Sequence, residues 1–138
     1  TIEFVQDNYS SSKLGVIRGL HYQKSPFAQA KLVRVVEGKI FDVVVNINSN
    51  SKDFGKYFST VLSSENKKML WIPEGYAHGF LSLSDNTKVL YKTSKFYEPL
   101  SEVTIKWDDP DLNINWPVTN KIIVGNKDQK GIKFSQID

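Results

Sequence analysis

The segment Lys39-Ile40-Phe41-Asp42-Val43-Val44-Val45-Asn46-Ile47 reads as a β-strand. Successive strand side chains point to opposite faces, so Phe41, Val43, Val45 and Ile47 share one face while Asp42, Val44 and Asn46 share the other. Turn signals bound the segment, Glu37-Gly38 before it and Asn48–Lys52 after it. Working outward, comparable runs occur at Gly15–Leu20, Lys31–Val36, Tyr57–Leu62, Lys68–Ile72, Gly79–Leu83, Thr87–Ser94 and Val103–Trp107. They are separated by Ser64–Asn66, Pro73–Gly75, Ser84–Asn86, Glu98-Pro99 and Asp108–Pro110. Short strands broken roughly every 8–12 residues predict an antiparallel sandwich or barrel. No window of about 11 residues holds a helical period, and the gaps are too short for the crossover helices that parallel strands need. The prediction is an all-β jelly roll of two stacked antiparallel sheets with a cleft between them. In Thr87–Ser94 the alternation groups Lys88, Leu90, Lys92 and Ser94 against Val89, Tyr91 and Thr93. The polar stretch 121–138 is expected to be partly disordered.

Composition narrows the function. A chain of 138 residues, 40% hydrophobic and 24% charged, is expected to form one globular domain with a real core. There is no cysteine, which removes disulfides, thiolate metal sites and a cysteine nucleophile, and suits a reducing compartment. The net charge of +3 divides into +4 over residues 1–69 and −1 over residues 70–138. This excess is too mild and too diffuse for a nucleic-acid surface, but it could serve one compact anionic ligand. No run approaches the ~18 apolar residues of a membrane-spanning helix. Neither nucleic acid nor membrane is expected as a partner.

Few residues are candidates for chemistry. The two histidines are His21, in Arg18-Gly19-Leu20-His21-Tyr22-Gln23, and His78, in Pro73-Glu74-Gly75-Tyr76-Ala77-His78-Gly79-Phe80. Each reads either as a hydrogen-bonded structural residue or as a site residue. A neutral imidazole near its ordinary pKa of about 6.5 suits general-base work. A catalytic zinc or iron usually takes at least two histidines with a carboxylate, and no third histidine or H-x-H pair is present, so no metal is expected. Lys31 shares a face with Val33 and Val35; it is either a solvated lysine on an edge strand or a cation in the cleft that stabilises an oxyanion. Tyr91 is either a core tyrosine or a general acid beside a cation. Asp128 taken alone is an ordinary loop acid. Asp108-Asp109-Pro110-Asp111 reads as a turn.

Spacing alone does not bring these residues together; the combined strings do. Gln6-Asp7-Asn8-Tyr9-Ser10, Gly15-Val16-Ile17-Arg18-Gly19-Leu20-His21-Tyr22-Gln23, Lys31-Leu32-Val33-Arg34-Val35, Leu70-Trp71-Ile72-Pro73-Glu74-Gly75-Tyr76-Ala77-His78-Gly79-Phe80, Leu90-Tyr91-Lys92, Trp107-Asp108-Asp109-Pro110 and Ile114-Asn115-Trp116-Pro117 occur in order. Together they closely resemble the dTDP-4-dehydrorhamnose 3,5-epimerase family of dTDP-rhamnose biosynthesis, from about Phe4 to Asp128. The resemblance implies a cupin-type jelly roll, a double-stranded β-helix, that forms homodimers, needs no metal or other cofactor, and works in the cytoplasm. It also implies an N-terminal segment ahead of the Gln-Asp-Asn string with further ligand-binding Arg and Glu, so the expectation is one domain over residues 1–138 without that segment.

The implied activity is an isomerase reaction on a dTDP-linked 4-keto-6-deoxy sugar. C3 and C5 of dTDP-4-dehydro-6-deoxy-D-glucose are inverted to give dTDP-4-dehydro-β-L-rhamnose. By resemblance His21 is the base, Asp128 fixes its tautomer, Lys31 stabilises the enolate oxygen and Tyr91 returns a proton on the opposite face. Arg18 and His78 match positions that contact the diphosphate, Gln6 and Asn8 match positions near the nucleotide, and Tyr97 matches an aromatic that stacks on thymine. The alternatives are a relative acting at one carbon only or on another nucleotide sugar, and a non-catalytic sugar-binding jelly roll.

Overall fold

The computed structural model describes residues 1–118 and 121–138. The strands are β1 (Gln6–Ser12), β2 (Val16–Gln23), β3 (Lys31–Glu37), β4 (Lys39–Asn46), β5 (Tyr57–Ser63), β6 (Met69–Ile72), β7 (Tyr76–Ser82), β8 (Thr87–Thr93), β9 (Glu102–Thr104) and β10 (Ile123–Val124). A single helical turn, α1 (Asn126–Gln129), and a 3-10 turn at Phe134–Gln136 follow. β1, β8, β3 and β6 form a four-stranded sheet in that order. β10, β2, β7, β4 and β5 form the second sheet, with β9 also pairing β2. The jelly roll read from the strand spacing is therefore present.

Two apolar cores explain why the alternation in β4 is buried on both faces. Ile40 and Val44 pack with Val33, Val35, Leu62, Ile72, Phe80 and Val89 between the sheets. Val43 and Val45 point the other way, into a cluster with Ile17, Leu20, Ala77, Leu81, Ile105, Leu112 and Trp116. The second cluster is closed by the chain beyond β9, which covers the outer face of the six-stranded sheet. The stretch 121–138 is accordingly structured: β10, α1 and the 3-10 turn lie within it, and Ile122, Val124, Phe134 and Ile137 pack on that core. Its sparse apolar residues are enough because each one meets a sheet already built. Asp109, in the predicted turn, is buried and accepts the Asp111 and Phe134 amides at 2.8 Å each, tying this tail to the turn.

Three further departures have local causes. β1 has no apolar alternation, yet it pairs with β8 from Gln6↔Thr93 to Ser12↔Thr87; its inward face, Gln6, Asn8 and Ser10, lines a cavity and not a core. The run Val103–Trp107 shortens to Glu102–Thr104, after which Ile105 bridges Ile132 in parallel. β10 runs parallel to β2, so the second sheet is not wholly antiparallel.

Candidate active site

The cavity, of about 310 Å³, opens between the two sheets. β2 and β7 supply Arg18, His21, His78 and Phe80 from the six-stranded sheet, and β1, β3 and β8 supply Gln6, Asn8, Lys31 and Tyr91 from the four-stranded one. Tyr97 lines the mouth and is half exposed. Eight of the nine residues singled out from the sequence thus share one cavity, and the ninth, Asp128, stands behind His21.

Local backbone makes this convergence possible. Residues three apart on a regular strand face opposite sides, yet Arg18 and His21 line the same cavity. Arg18 pairs with Phe80 and His21 with His78, so Gly19 and Leu20 together oppose Gly79. This bulge resets the alternation. Leu20 turns into the outer core, and Ile105 satisfies its backbone on both sides, donating at 2.8 Å and accepting at 3.2 Å. Gly19 sits at φ +113°, and a Cβ there would lie 2.7 Å from the Gly79 Cα. Only glycine serves at such an approach. The freed Gly19 amide donates to Asp128 Oδ2 at 3.1 Å.

Asp128 Oδ1 meets His21 Nε2 at 2.6 Å. Burial works against the Asp128 charge, but the His21 hydrogen bond, the Gly19 amide and nearby Lys127 outweigh it and hold its pKa below the ordinary value. With Nε2 committed to Asp128, Nδ1 is the imidazole nitrogen left for a ligand. A second imidazole–carboxylate pair lies beside it. His78 Nε2 meets Asp42 Oδ1 at 2.6 Å, with Asp42 fully buried in β4 and His78 only 5% exposed.

Lys31 is 7% exposed on an interior strand between β8 and β6, which removes the solvated-edge reading. Burial pushes its pKa down to about 8, against the pull of Asp42 and Glu102. Its Nζ lies 5.6 Å from the Tyr91 ring centre. The Tyr91 ring meets His78 edge-on at 6.3 Å. Burial, then Glu102, raise the Tyr91 pKa, with Lys127 and Arg18 opposing. Such a phenol keeps its proton until a partner takes it. Arg18 is held from below, donating from Nε to Ser12 Oγ at 2.9 Å and from an Nη to the Ser11 carbonyl at 3.1 Å. Gln6 donates to Asn8 Oδ1 at 2.9 Å and accepts the Tyr97 amide at 3.0 Å.

Sequence reading missed several cavity groups. Glu102 pairs with Lys127 at the mouth, and the Lys127 Nζ lies 5.7 Å from the Tyr97 ring centre. Nothing local in the sequence marks either residue, because they converge from β9 and α1. Asp42 carried a signal, as an acid inside an otherwise apolar strand. Among the described residues no group of three His, Asp or Glu side chains is placed to hold a metal ion. No helix among them is long and apolar enough to cross a membrane.

A family model described as dTDP-4-dehydrorhamnose 3,5-epimerase matches residues 1–136. The chain belongs to that family. A dTDP-4-dehydrorhamnose 3,5-epimerase from Shigella flexneri is 53% identical over 137 residues, 99% of this chain and 75% of the relative. The dTDP-6-deoxy-D-glucose-3,5-epimerase of Legionella pneumophila, solved in complex with dTDP-4-keto-L-rhamnose, superposes with a TM-score of 0.96 at 46% identity, covering 100% of this chain and 73% of that one. The dTDP-4-dehydrorhamnose 3,5-epimerase of Bacillus anthracis, solved with TDP and PPi bound, gives 0.92 at 42% identity, covering 96% and 76%. The cupin-type jelly roll implied by the motifs is the fold shared with these family structures.

Proposed function

We propose that this chain inverts C3 and C5 of dTDP-4-dehydro-6-deoxy-D-glucose, giving dTDP-4-dehydro-β-L-rhamnose. The observation that carries the reading is the division of cavity groups between sheets. The carboxylate-backed imidazole of His21 comes from β2, while the Tyr91 phenol and the Lys31 ammonium come from β8 and β3. A hydrogen α to a ketone leaves only if a base takes it and a cation or hydrogen bond holds the charge that moves to oxygen. His21 Nδ1 takes the C3 proton, the electron pair of the broken C–H bond becomes the C3–C4 double bond, and Lys31 holds the C4 oxyanion. Tyr91 then protonates C3 from the opposite face, which inverts the centre. The imidazolium and the phenolate return to their starting states by exchange with solvent, and the same cycle runs at C5.

Asp128 holds the Nε2 proton in place and supports the imidazolium. Arg18 and His78 bind the diphosphate, for which a guanidinium fork is well shaped. Gln6 and Asn8 contact the nucleotide, and Tyr97 stacks on the thymine. No cofactor takes part. A homodimer belongs to the same reading, supported by the exposed Phe4, Tyr9, Met69 and Trp71 around the outer side of the four-stranded sheet. So does a cytoplasmic location, suited by a chain without cysteine.

The test is solvent exchange. The protein is incubated with dTDP-4-keto-6-deoxyglucose in heavy water and the sugar is read by NMR. Deuterium at both C3 and C5 is expected. Label at one carbon would make this a single-centre epimerase, and no label from a folded protein would leave a sugar-binding module.

A further inference from the structure

We infer that Gln23 is a positioning residue that fixes the loop carrying Tyr97, so that the ring is already placed when the thymine arrives; this rests on the function proposed above. Gln23 closes β2, lines the cavity and is only 5% exposed. A buried side-chain amide is costly unless it is hydrogen-bonded. Here Nε2 donates to the Phe27 carbonyl at 2.8 Å and to the Phe96 carbonyl at 3.3 Å, and Oε1 accepts the Glu98 amide at 2.8 Å. Carbonyls on one side and an N–H on the other settle which way the amide points. Both of its N–H groups are committed to backbone, so Gln23 keeps no donor for a ligand and acts through the segments it holds.

Those segments bracket Tyr97. Gln23 holds the residue before it and the residue after it, and Gln6 Oε1 accepts the Tyr97 amide itself at 3.0 Å. Gln6 comes from β1 in the four-stranded sheet and Gln23 from β2 in the six-stranded one, so the loop between β8 and β9 is pinned to both. The Tyr97 side chain has lighter support. It is half exposed, with its hydroxyl 3.3 Å from Glu102 and Lys127 Nζ 5.7 Å from its ring centre. A ring held so lightly takes its direction from its backbone. A loop that must order when the ligand arrives subtracts that entropy from the affinity, and a loop held beforehand does not. His21 and Gln23 are two apart on the regular end of β2, paired with Thr104 and Glu102, and both line the cavity. One strand thus carries the proposed general base and the clamp on the thymine-stacking ring.

The test is a double-mutant cycle of Gln23→Met and Tyr97→Ala, with TDP as the probe and its Kd read by calorimetry on the folded proteins. Methionine matches glutamine in length and removes all three hydrogen bonds. Tyr97→Ala should weaken TDP about tenfold or more, as loss of a stacked aromatic does. Gln23→Met should weaken it roughly five- to tenfold, and the double variant should bind no worse than Tyr97→Ala alone. On dTDP-4-keto-6-deoxyglucose, Gln23→Met should raise KM by a similar factor with kcat unchanged. Gln23→Asn, which keeps the amide but falls one carbon short, should show the same pattern and stands in if Gln23→Met does not fold. TDP held by Gln23→Met as tightly as by wild type, with Tyr97→Ala weakened, would overturn this inference alone. So would full additivity in the double variant, which would make Gln23 a support of the fold at large, or a fall in kcat at unchanged KM. Tyr97→Ala that binds TDP like wild type would remove thymine stacking from the proposed function, and this inference with it.

Discussion

Arg18 and His21 are three residues apart on β2 and yet line one cavity, because Gly19 and Leu20 share a single partner, Gly79. An unbroken strand would have sent one of them into the outer core. The bulge therefore does two jobs at once. It aligns a cation with an imidazole, and it frees the Gly19 amide to hold Asp128 at 3.1 Å.

Gly19→Ala tests that arrangement. The new methyl would lie 2.7 Å from both the Gly79 Cα and the His78 carbonyl oxygen, on a backbone at φ +113°. A loss of about 3 kcal/mol in unfolding free energy is expected, read by urea titration. Gly75→Ala is the control, since its φ of +94° imposes backbone strain but no atom stands within 4 Å of the added Cβ. If the control costs as much as Gly19→Ala, the Gly19–Gly79 approach is not what constrains β2.

His21→Asn and Tyr91→Phe should separate the two halves of the reaction. Removing the imidazole removes the base, so hydrogen exchange at C3 and C5 should fall about 100-fold or more. Removing the phenol leaves His21 paired with Asp128 at 2.6 Å. Exchange should persist there while inversion drops, with deuterium entering sugar that keeps its original configuration. Heavy-water NMR reads both quantities in one experiment. Retained inversion in His21→Asn would take the base away from His21.

The strands and the division of their side chains between two faces were legible because alternation is a local property. Val89, Tyr91 and Thr93 share one face of β8, as their spacing requires, and the structure turns that face inward. Lys31 was ambiguous for the same reason: the pattern Lys31, Val33, Val35 fixed its face but not whether β3 was an edge or an interior strand. That depends on which strands flank it, here β8 and β6, which no local window contains. The Arg18–His21 pair defeats simple alternation altogether, since a bulge adds one residue to the count. β1 was invisible because its polar face meets a cavity. The Glu102–Lys127 pair joins residues from two distant segments and left no mark in the sequence. Asp128 could be linked to His21 only through the resemblance of whole motifs.

Lys31 should trade stability for activity. Its pKa falls from 10.5 to about 8 on folding, chiefly through burial. Between those values the unfolded chain binds more protons than the folded one, so stability rises with pH across that window; below about pH 8 the full cost of the buried ammonium is present. Lys31→Met should therefore be more stable at neutral pH, by up to about 3 kcal/mol. Its advantage over wild type should shrink as pH climbs from 8 toward 10.5, as thermal melts of both proteins would measure. Its turnover should be lost. A variant less stable than wild type at pH 7 would show that Lys31 is held by compensating interactions and not merely tolerated.

Asp42 should set where that lysine titrates. It is fully buried, with Oδ1 on His78 and Oδ2 unpartnered among the described residues, and its charge favours the ammonium form of Lys31. The wild-type profile of kcat/KM should fall as pH rises through about 8, where Lys31 loses its proton and can no longer hold the C4 oxyanion. Asp42→Asn keeps the shape of the side chain and removes the negative charge. The amide no longer offsets the desolvation of Lys31, so its pKa must drop further and the alkaline limb should move to lower pH. Near pH 7 the variant should be slower than wild type, and the ratio of the two rates should approach one on acidification, as Lys31 becomes protonated in both proteins. An alkaline limb left in place by Asp42→Asn would mean that a group other than Lys31 controls it.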